Sequence, residues 1–385
     1  MPAADELAQH APARPHRMDV DTPRHRRAEA DDQLRLHVRH RHALPVLPEM
    51  IHHRRDDRTG SAGGRHRGGQ GEGRGHGGHC GGPIRCVASG CAMSAFSNSI
   101  GHATAIVVRM NILVTGATGK VGSRLARRLL EHGHAVRALV RDPARAADLA
   151  ELGITLVTGD LLQADSLSAA VRGVDAVVHC AAFFRGATPE QAHAVNDLGT
   201  QHLAQASRQA GVQRFVFTST GLVYGPNGGR IAREEDACKP VDAYPQSKLA
   251  AERILLAVEG LDVRILRLPF VYGDGDPHIA DVVPFMRTFP PTQRLSIGHH
   301  ADVAQAVIRL LDAPLPAHRI YNVVDDEAPD LATLFASVGQ PPPDGTTPER
   351  GQAFAALLDG RRIRDELGFR PLLPRLQDAI DAGRA

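Results

Sequence analysis

Tyr244-Pro245-Gln246-Ser247-Lys248 places a phenol and an ammonium four residues apart. The sequence has only four tyrosines and three lysines (Lys120, Lys239 and Lys248), and it carries nearly all its other positive charge on arginine. At positions i and i+4 of a helix the two side chains share a face and can enter one pocket. A free phenol ionises near pH 10 (about 10 for tyrosine), too high for a base at neutrality. A cation a few ångströms away favours the phenolate and lowers that pKa. The pair can therefore give a proton to, or take one from, a substrate oxygen, provided that its helix stands at a pocket.

The elements that would build such a pocket begin at Met110. Residues 111–115, Asn-Ile-Leu-Val-Thr, form a short apolar run of the buried parallel-strand type. Gly116-Ala117-Thr118-Gly119-Lys120-Val121-Gly122 follows, then a helical pattern over 123–131 with Leu125, Leu129 and Leu130 on one side, stopped by Gly133 before a second strand at 135–140. Glycines in the first turn of such a strand–helix–strand unit let backbone approach a pyrophosphate, which the helix N-terminus stabilises. The spacing is G-x-x-G-x-x-G rather than G-x-G-x-x-G, so its weight comes from the strand–turn–helix context. The end of the second strand should meet the adenosine ribose, where an acidic residue suits NAD and an arginine suits NADP. The first polar residue there is Arg141, which favours NADP; Asp142, one position on, keeps NAD open.

Alternation of strand and helix continues through strands at 154–157, 176–179, 214–219 and 262–268, with a helix at 166–171 and a long one at 192–210. Six strands with crossover helices predict a doubly wound parallel sheet of the Rossmann type, with ligands at the carboxyl ends of the strands. Asp160 falls at one such end and would accept from an adenine amino group or cap its own turn. Ala181 and Ala182 are small enough for a ring to pack against backbone, and Thr218-Ser219-Thr220 and Pro269 end two further strands.

With 385 residues and a net charge of +2, the chain can bury a sizeable core, and its charge neither calls for nor excludes an acidic partner. Residues 1–109 contain no lysine, are rich in Arg, His and Gly, and lack apolar periodicity; they are expected to be disordered, or an over-extended start ahead of Met110. Cys80, Cys86 and Cys91 near His76 and His79 lack the paired spacing of a structural zinc site, and a nucleic-acid tail is disfavoured against the bland reading. No stretch is long and apolar enough to span a bilayer, and five scattered cysteines suit a reducing cytoplasm. His278, His299 and His300 could bind zinc, but ordinary surface or pocket histidines are the better reading, and no metal is expected.

The chain from Met110 resembles the extended short-chain dehydrogenase/reductases, the NAD(P)-dependent epimerase/dehydratase group. The matching residues are 115–122, Asp160, His179-Cys180-Ala181-Ala182, Asn196 with Gly199-Thr200, Thr218–Gly225, Tyr244 with Lys248, Arg267–Gly273 and 362–371. The resemblance implies Tyr244 as acid/base, Lys248 as the cation beside it and a ribose ligand, Thr220 or more weakly Ser219 as the hydroxyl orienting the substrate oxygen, and Asn196 as holder of a relay water. It implies cofactor contacts from Gly116, Thr118, Gly119, Lys120, Val121, Gly122, Arg141, Asp160, Leu161, Ala181, Ala182, Lys248 and Pro269. The expected organisation is a dinucleotide-binding domain over 110–268 and a small substrate lobe over 269–385, the latter containing a closing helix at 356–367. Gly221-Leu222 stand where sugar-nucleotide dehydratases carry an acidic pair, and Phe270 stands where many epimerases carry Asn. The resemblance therefore points to an NADP-linked, or else NAD-linked, oxidoreductase of a secondary alcohol or ketone on a small or sugar-like molecule, resembling the dihydroflavonol-reductase branch. A nucleotide-sugar epimerase holding its cofactor tightly and a non-catalytic NADP sensor are the alternatives. Homodimerisation is a family expectation.

Overall fold

The computed structural model describes residues 109–184 and 188–385. The N-terminal segment and its cysteines and histidines lie outside the described residues. Strands β1 (Asn111–Thr115), β2 (Ala135–Val140), β3 (Thr155–Thr158), β4 (Ala176–His179), β5 (Arg214–Thr220), β6 (Asp262–Leu268) and β7 (Ile320–Asn322) form one parallel sheet in the order β7-β6-β5-β4-β1-β2-β3. Ile112 pairs with Val136 on one side and with Ala176 on the other. The chain runs outward from β1 to β3 and then restarts at β4, so β1 and β4 flank the point where strand order reverses. In open α/β sheets that is where a crevice forms.

Both faces are covered, which is why the strands read as continuous apolar runs rather than alternating ones. One face packs Ile112, Val114 and Val178 against α1 (Lys120–Glu131) and α4 (His300–Asp312) through Leu125, Leu129, Val307 and Leu311. The other packs Leu113, Val177, Phe215 and Phe217 against α2 (Gly199–Gln209) and α3 (Ala243–Leu256) through Leu203, Ala204, Ala251 and Leu255. A separate cluster around Tyr272, Ile279, Met286, Phe289, Leu334 and Phe335 forms the C-terminal lobe.

The structure differs from the sequence expectation in three places. The sheet has seven strands, not six, and both its last strand and α4 come from residues expected in the substrate lobe; β7 is three residues long and carries no alternation to read. The long helix expected at 192–210 is a π-helical segment, His193–Leu198, running into α2. The closing helix at 356–367 is a two-residue strand, Leu357–Leu358, and a helix at Arg361–Leu367, divided at Gly360. Among the described residues, no helix is long and apolar enough to cross a membrane.

Candidate active site

The glycine turn sits at the end of β1, in the crevice. Gly116 has φ +68°, and a Cβ on it would stand 2.6 Å from the Ala181 nitrogen. On Gly122 a Cβ would stand 2.2 Å from the Gly116 oxygen. Both positions therefore require glycine, because neighbouring backbone lies where a side chain would begin, and that close packing sets the shape of the turn ahead of α1. Gly119 caps α1 with no side-chain hydrogen bond, so the first N–H groups of this twelve-residue helix, from Lys120 to Gly122, keep no intrahelical partner. That is an anion site of the kind a pyrophosphate occupies. These residues fit a dinucleotide. The Lys120 ammonium itself turns away, to Asp281 at 2.6 Å and Asp276 at 3.0 Å, so its backbone rather than its charge faces the turn.

Arg141 is exposed directly after β2. The Asp142 carboxylate accepts from the Ala144 N–H at 3.0 Å and so caps its own turn. Asp160 does the same at the end of β3, accepting from Leu162 N at 2.9 Å. Leu161 is buried against Gly199, Ala181 N donates to Thr115 Oγ1 at 3.3 Å, and Ala182 is exposed at the crevice. Pro269 is partly buried between β6 and the short strand Phe270–Tyr272, packed where a side chain on Gly298 would go.

Tyr244 and Lys248 lie in the first two turns of α3, one turn apart on one face. Pro245 fits there because a helix's first turn makes no use of its missing N–H. Asp242 is the N-cap of the helix, and no acidic residue lies in its first turn. Phe184 packs edge-on against the Tyr244 ring, centroids 4.5 Å apart. Lys248 is buried with its Nζ 3.9 Å from the Phe217 ring centroid. The expectation that Lys248 lowers the phenol's pKa does not hold among the protein's own groups. Burial raises Tyr244 above its ordinary value and depresses the Lys248 ammonium to about 7, against the opposing pull of Cys180, Glu252 and Asp197.

Thr220, the last residue of β5, accepts from Leu222 N at 3.3 Å and thereby caps the 3-10 turn Gly221–Tyr224, which leaves its hydroxyl proton to give. Ser219 is turned into the core, where it donates to Glu252 in a buried network; Arg267 grips the same carboxylate through Nε and Nη2, at 3.1 and 2.7 Å. Its hydroxyl is thus spent, and Thr220 is the one aimed at the crevice end of the strand. Asn196 is fully engaged: Oδ1 accepts from Phe183 N at 2.7 Å, and Nδ2 donates to Phe183 O at 3.1 Å and to Ser247 Oγ at 2.9 Å. Its side chain holds protein rather than a relay water. His299 and His300 are occupied by the Arg384 carbonyl and Asp276, and His278 stacks on Phe270.

Sequence reasoning did not assign a role to His179. Fully buried at the end of β4, its Nδ1 lies 2.6 Å from Thr115 Oγ1 and its Nε2 lies 2.8 Å from Thr200 Oγ1. Thr200 gives its own proton to the Asn196 carbonyl, so Nε2–H donates to Thr200 and Nδ1 accepts from Thr115. Burial, reinforced by Lys248, lowers His179 to about 3, so the ring stays neutral. It ties the end of β1 to the π-helical segment that carries Asn196. The signal in the sequence was a histidine closing an otherwise apolar strand.

The sequence profile of the NAD dependent epimerase/dehydratase family matches residues 112–323. A 3 beta-hydroxysteroid dehydrogenase/Delta 5-->4-isomerase of Mycobacterium tuberculosis is 32% identical over 259 residues, which is 63% of this chain and 63% of that protein. A 3-beta-hydroxysteroid dehydrogenase of Mycolicibacterium neoaurum is 35% identical over 181 residues, 43% of this chain and 48% of that protein. The chain therefore spans about half to 63% of the length of these relatives. Among solved structures, DesIV, a dTDP-glucose 4,6-dehydratase of Streptomyces venezuelae with NAD bound, superposes with a TM-score of 0.61 at 28% identity, over 71% of this chain and 95% of that one.

Proposed function

The chain belongs to the NAD dependent epimerase/dehydratase family, and on that premise we propose that it is an oxidoreductase passing hydride between a nicotinamide dinucleotide and a secondary alcohol or ketone. The observation that carries this reading is the placement of Tyr244 and Lys248 on one face of α3, which packs against β5 and the turn capped by Thr220. Nicotinamide, when bound, supplies or accepts the hydride. The rest is the work of this chain. Gly116, Gly119 and Gly122 admit the pyrophosphate to the N-terminus of α1. Thr220 and Tyr244 donate to the substrate oxygen, and Tyr244 takes or gives its proton as charge on that oxygen changes. Lys248, on the same face of α3, would bond the nicotinamide ribose. Arg141, exposed while Asp142 caps its own turn, favours NADP over NAD.

A ring-bearing, uncharged carbinol of the steroid kind is the substrate class we favour. The relatives named above act, by name, on 3β-hydroxysteroids. The ring of Phe184 beside Tyr244 offers an apolar wall. In the C-terminal lobe Arg287 is held by the Pro341 carbonyl and Arg294 by that of Ala328, so these two cations are committed to backbone rather than to a nucleotide diphosphate. Gly221-Leu222 after Thr220 provide no acid and base to expel water, which disfavours dehydration. Likeness to DesIV supports a second reading, a sugar-nucleotide epimerase that keeps its cofactor.

A coupled assay separates them. The full chain is mixed with NAD or NADP and a 3β-hydroxysteroid, and separately with dTDP-glucose and UDP-glucose. Nicotinamide reduction with the steroid supports the proposal. Sugar inversion with co-purified, stoichiometric cofactor would support the epimerase, and silence with every carbinol would contradict both.

A further inference from the structure

Three cations on α1 meet three acidic residues of the C-terminal lobe. Lys120, Arg124 and Arg128 recur every four residues, so they form one stripe along the helix. Lys120 Nζ lies 3.0 Å from Asp276 Oδ1 and 2.6 Å from Asp281 Oδ2. Arg124 Nε donates to the Asp274 carbonyl at 3.1 Å, and Arg128 Nη2 donates to the Asp274 carboxylate. All three acidic partners follow the short strand Phe270–Tyr272, in the turn 273–276 and the helix His278–Val282. That turn is tightly specified. Gly273, Asp274 and Gly275 have φ of +91°, +51° and +71°, and Asp274 is the one non-glycine at positive φ among the described residues. Aspartate tolerates this conformation better than most residues, and here its carboxylate also accepts from Arg384 Nη2 at 3.0 Å. Asp276 is buried, and its Oδ2 lies 2.9 Å from His300 Nε2 on α4, which packs against α1. On its other side the segment sends Tyr272, Ile279 and Val282 into the core of the lobe. It therefore joins that core to α1 by an ionic clasp.

We propose that Lys120, Arg124 and Arg128 are positioning residues for the substrate, seating the first turn of the lobe on the cofactor helix so that a bound dinucleotide strengthens binding of the carbinol. This rests on the oxidoreductase reading above. Lys120 is the connecting residue: its N–H is one of the unpaired groups at the pyrophosphate end of α1, and its ammonium reaches the lobe. A dinucleotide that binds there favours the arrangement in which the turn is seated and lowers the population in which it opens. The linkage is reciprocal, so a substrate that steadies the lobe also tightens the hold on the cofactor. Exposed ion pairs contribute little one at a time, but this set shares partners and is partly shielded, the Asp276 and Arg128 side chains being 1% and 23% exposed.

The test uses the full chain, NAD or NADP, and dehydroepiandrosterone as the probe alcohol. Asp274→Asn suits the same turn and removes the charge that Arg128 and Arg384 grip. It should raise KM for the steroid by about fivefold or more, the lower end of a coupling between sites, with kcat and the cofactor Kd little changed. A merely structural role would lower the active fraction and leave KM where it was. Hydrogen exchange gives a second reading that needs no turnover. In the wild type, saturating NADPH or NADH, checked by nicotinamide fluorescence, should slow exchange of the backbone amides of 278–283. In Lys120→Met, equally saturated, that slowing should be lost. An unmoved KM in Asp274→Asn, or slowing that persists in Lys120→Met, overturns the proposal. So does cofactor that leaves the wild-type amides exchanging as before. Should the wild-type chain leave the probe untouched, the oxidoreductase reading fails instead, and the exchange result alone decides whether α1 and the lobe communicate.

Discussion

Asn196 Nδ2 donates to Ser247 Oγ at 2.9 Å, and Ser247 Oγ donates in turn to the Tyr244 carbonyl at 2.8 Å. Two hydrogen bonds thus join the π-helical segment to the first turn of α3. The same Asn196 amide clamps the N–H and C=O of Phe183, next to the ring that packs on Tyr244. One planar amide thus links the loop after β4, the π-helical segment and α3.

Asn196→Ala should therefore act at a distance from the chemistry. It leaves both polar groups of the Phe183 backbone without their partner, at about 1–3 kcal/mol for each that stays buried and unpaired. Scanning calorimetry should show a Tm several degrees lower, and kcat should fall with cofactor affinity largely kept. An unchanged Tm would show that Asn196 does not hold this unit together.

Gly122→Ala tests the glycine turn. The added methyl would stand 2.2 Å from the Gly116 oxygen, a backbone atom that cannot swing aside. The turn must open, and cofactor affinity, read by quenching or enhancement of nicotinamide fluorescence, should weaken by at least about tenfold as backbone N–H groups lose their aim. Gly119→Ala meets only a 3.2 Å contact and should be milder. Equal losses at both positions would contradict the packing argument.

Arg141 sets a prediction about cofactor choice. Replacing it by alanine should lower the NADPH/NADH ratio of kcat/KM by roughly tenfold or more, since a charged hydrogen-bond partner for a ribose phosphate is lost. A ratio that does not move would assign the preference to other residues.

Lys248 links stability to pH in a direction opposite to that of a salt-bridged lysine. Its folded pKa is about 7 against 10.5 when unfolded, because burial disfavours the charge. Between those values the unfolded chain holds the proton and the folded chain does not, so this group's contribution to stability rises with pH across that window. Below about 7 the burial penalty is fully present. Lys248→Met should raise Tm most at pH below 7, with the gain shrinking as pH climbs towards 10.5. A gain that instead grows with pH would mean that burial does not depress this ammonium.

Much of this was legible in the chain. The β1–glycine turn–α1 unit announced itself because a continuous apolar run, a glycine-spaced turn and a 3.6-residue period follow one another with no gap. Tyr244 and Lys248 stood out because phenols and ammoniums are scarce here. The parts that stayed hidden depend on contacts between distant segments. Ile320–Asn322 is too short to show a period, so the seventh strand was read as lobe. Asp197 looks like a surface polar residue until the π-helical segment packs against α3 and buries it. Ser219 and Thr220 are adjacent in sequence and become distinct only when strand alternation turns the first towards Glu252 and leaves the second at the crevice.

In the proposed function the Tyr244 phenol moves the proton while the glycine turn holds the cofactor independently. The direct measurement is kcat for a 3β-hydroxysteroid, together with cofactor Kd, in Tyr244→Phe. kcat should fall by about a thousandfold, within the range for a lost general acid/base, and Kd should stay within a few fold of the wild type. Turnover that survives the loss of this one oxygen would contradict it.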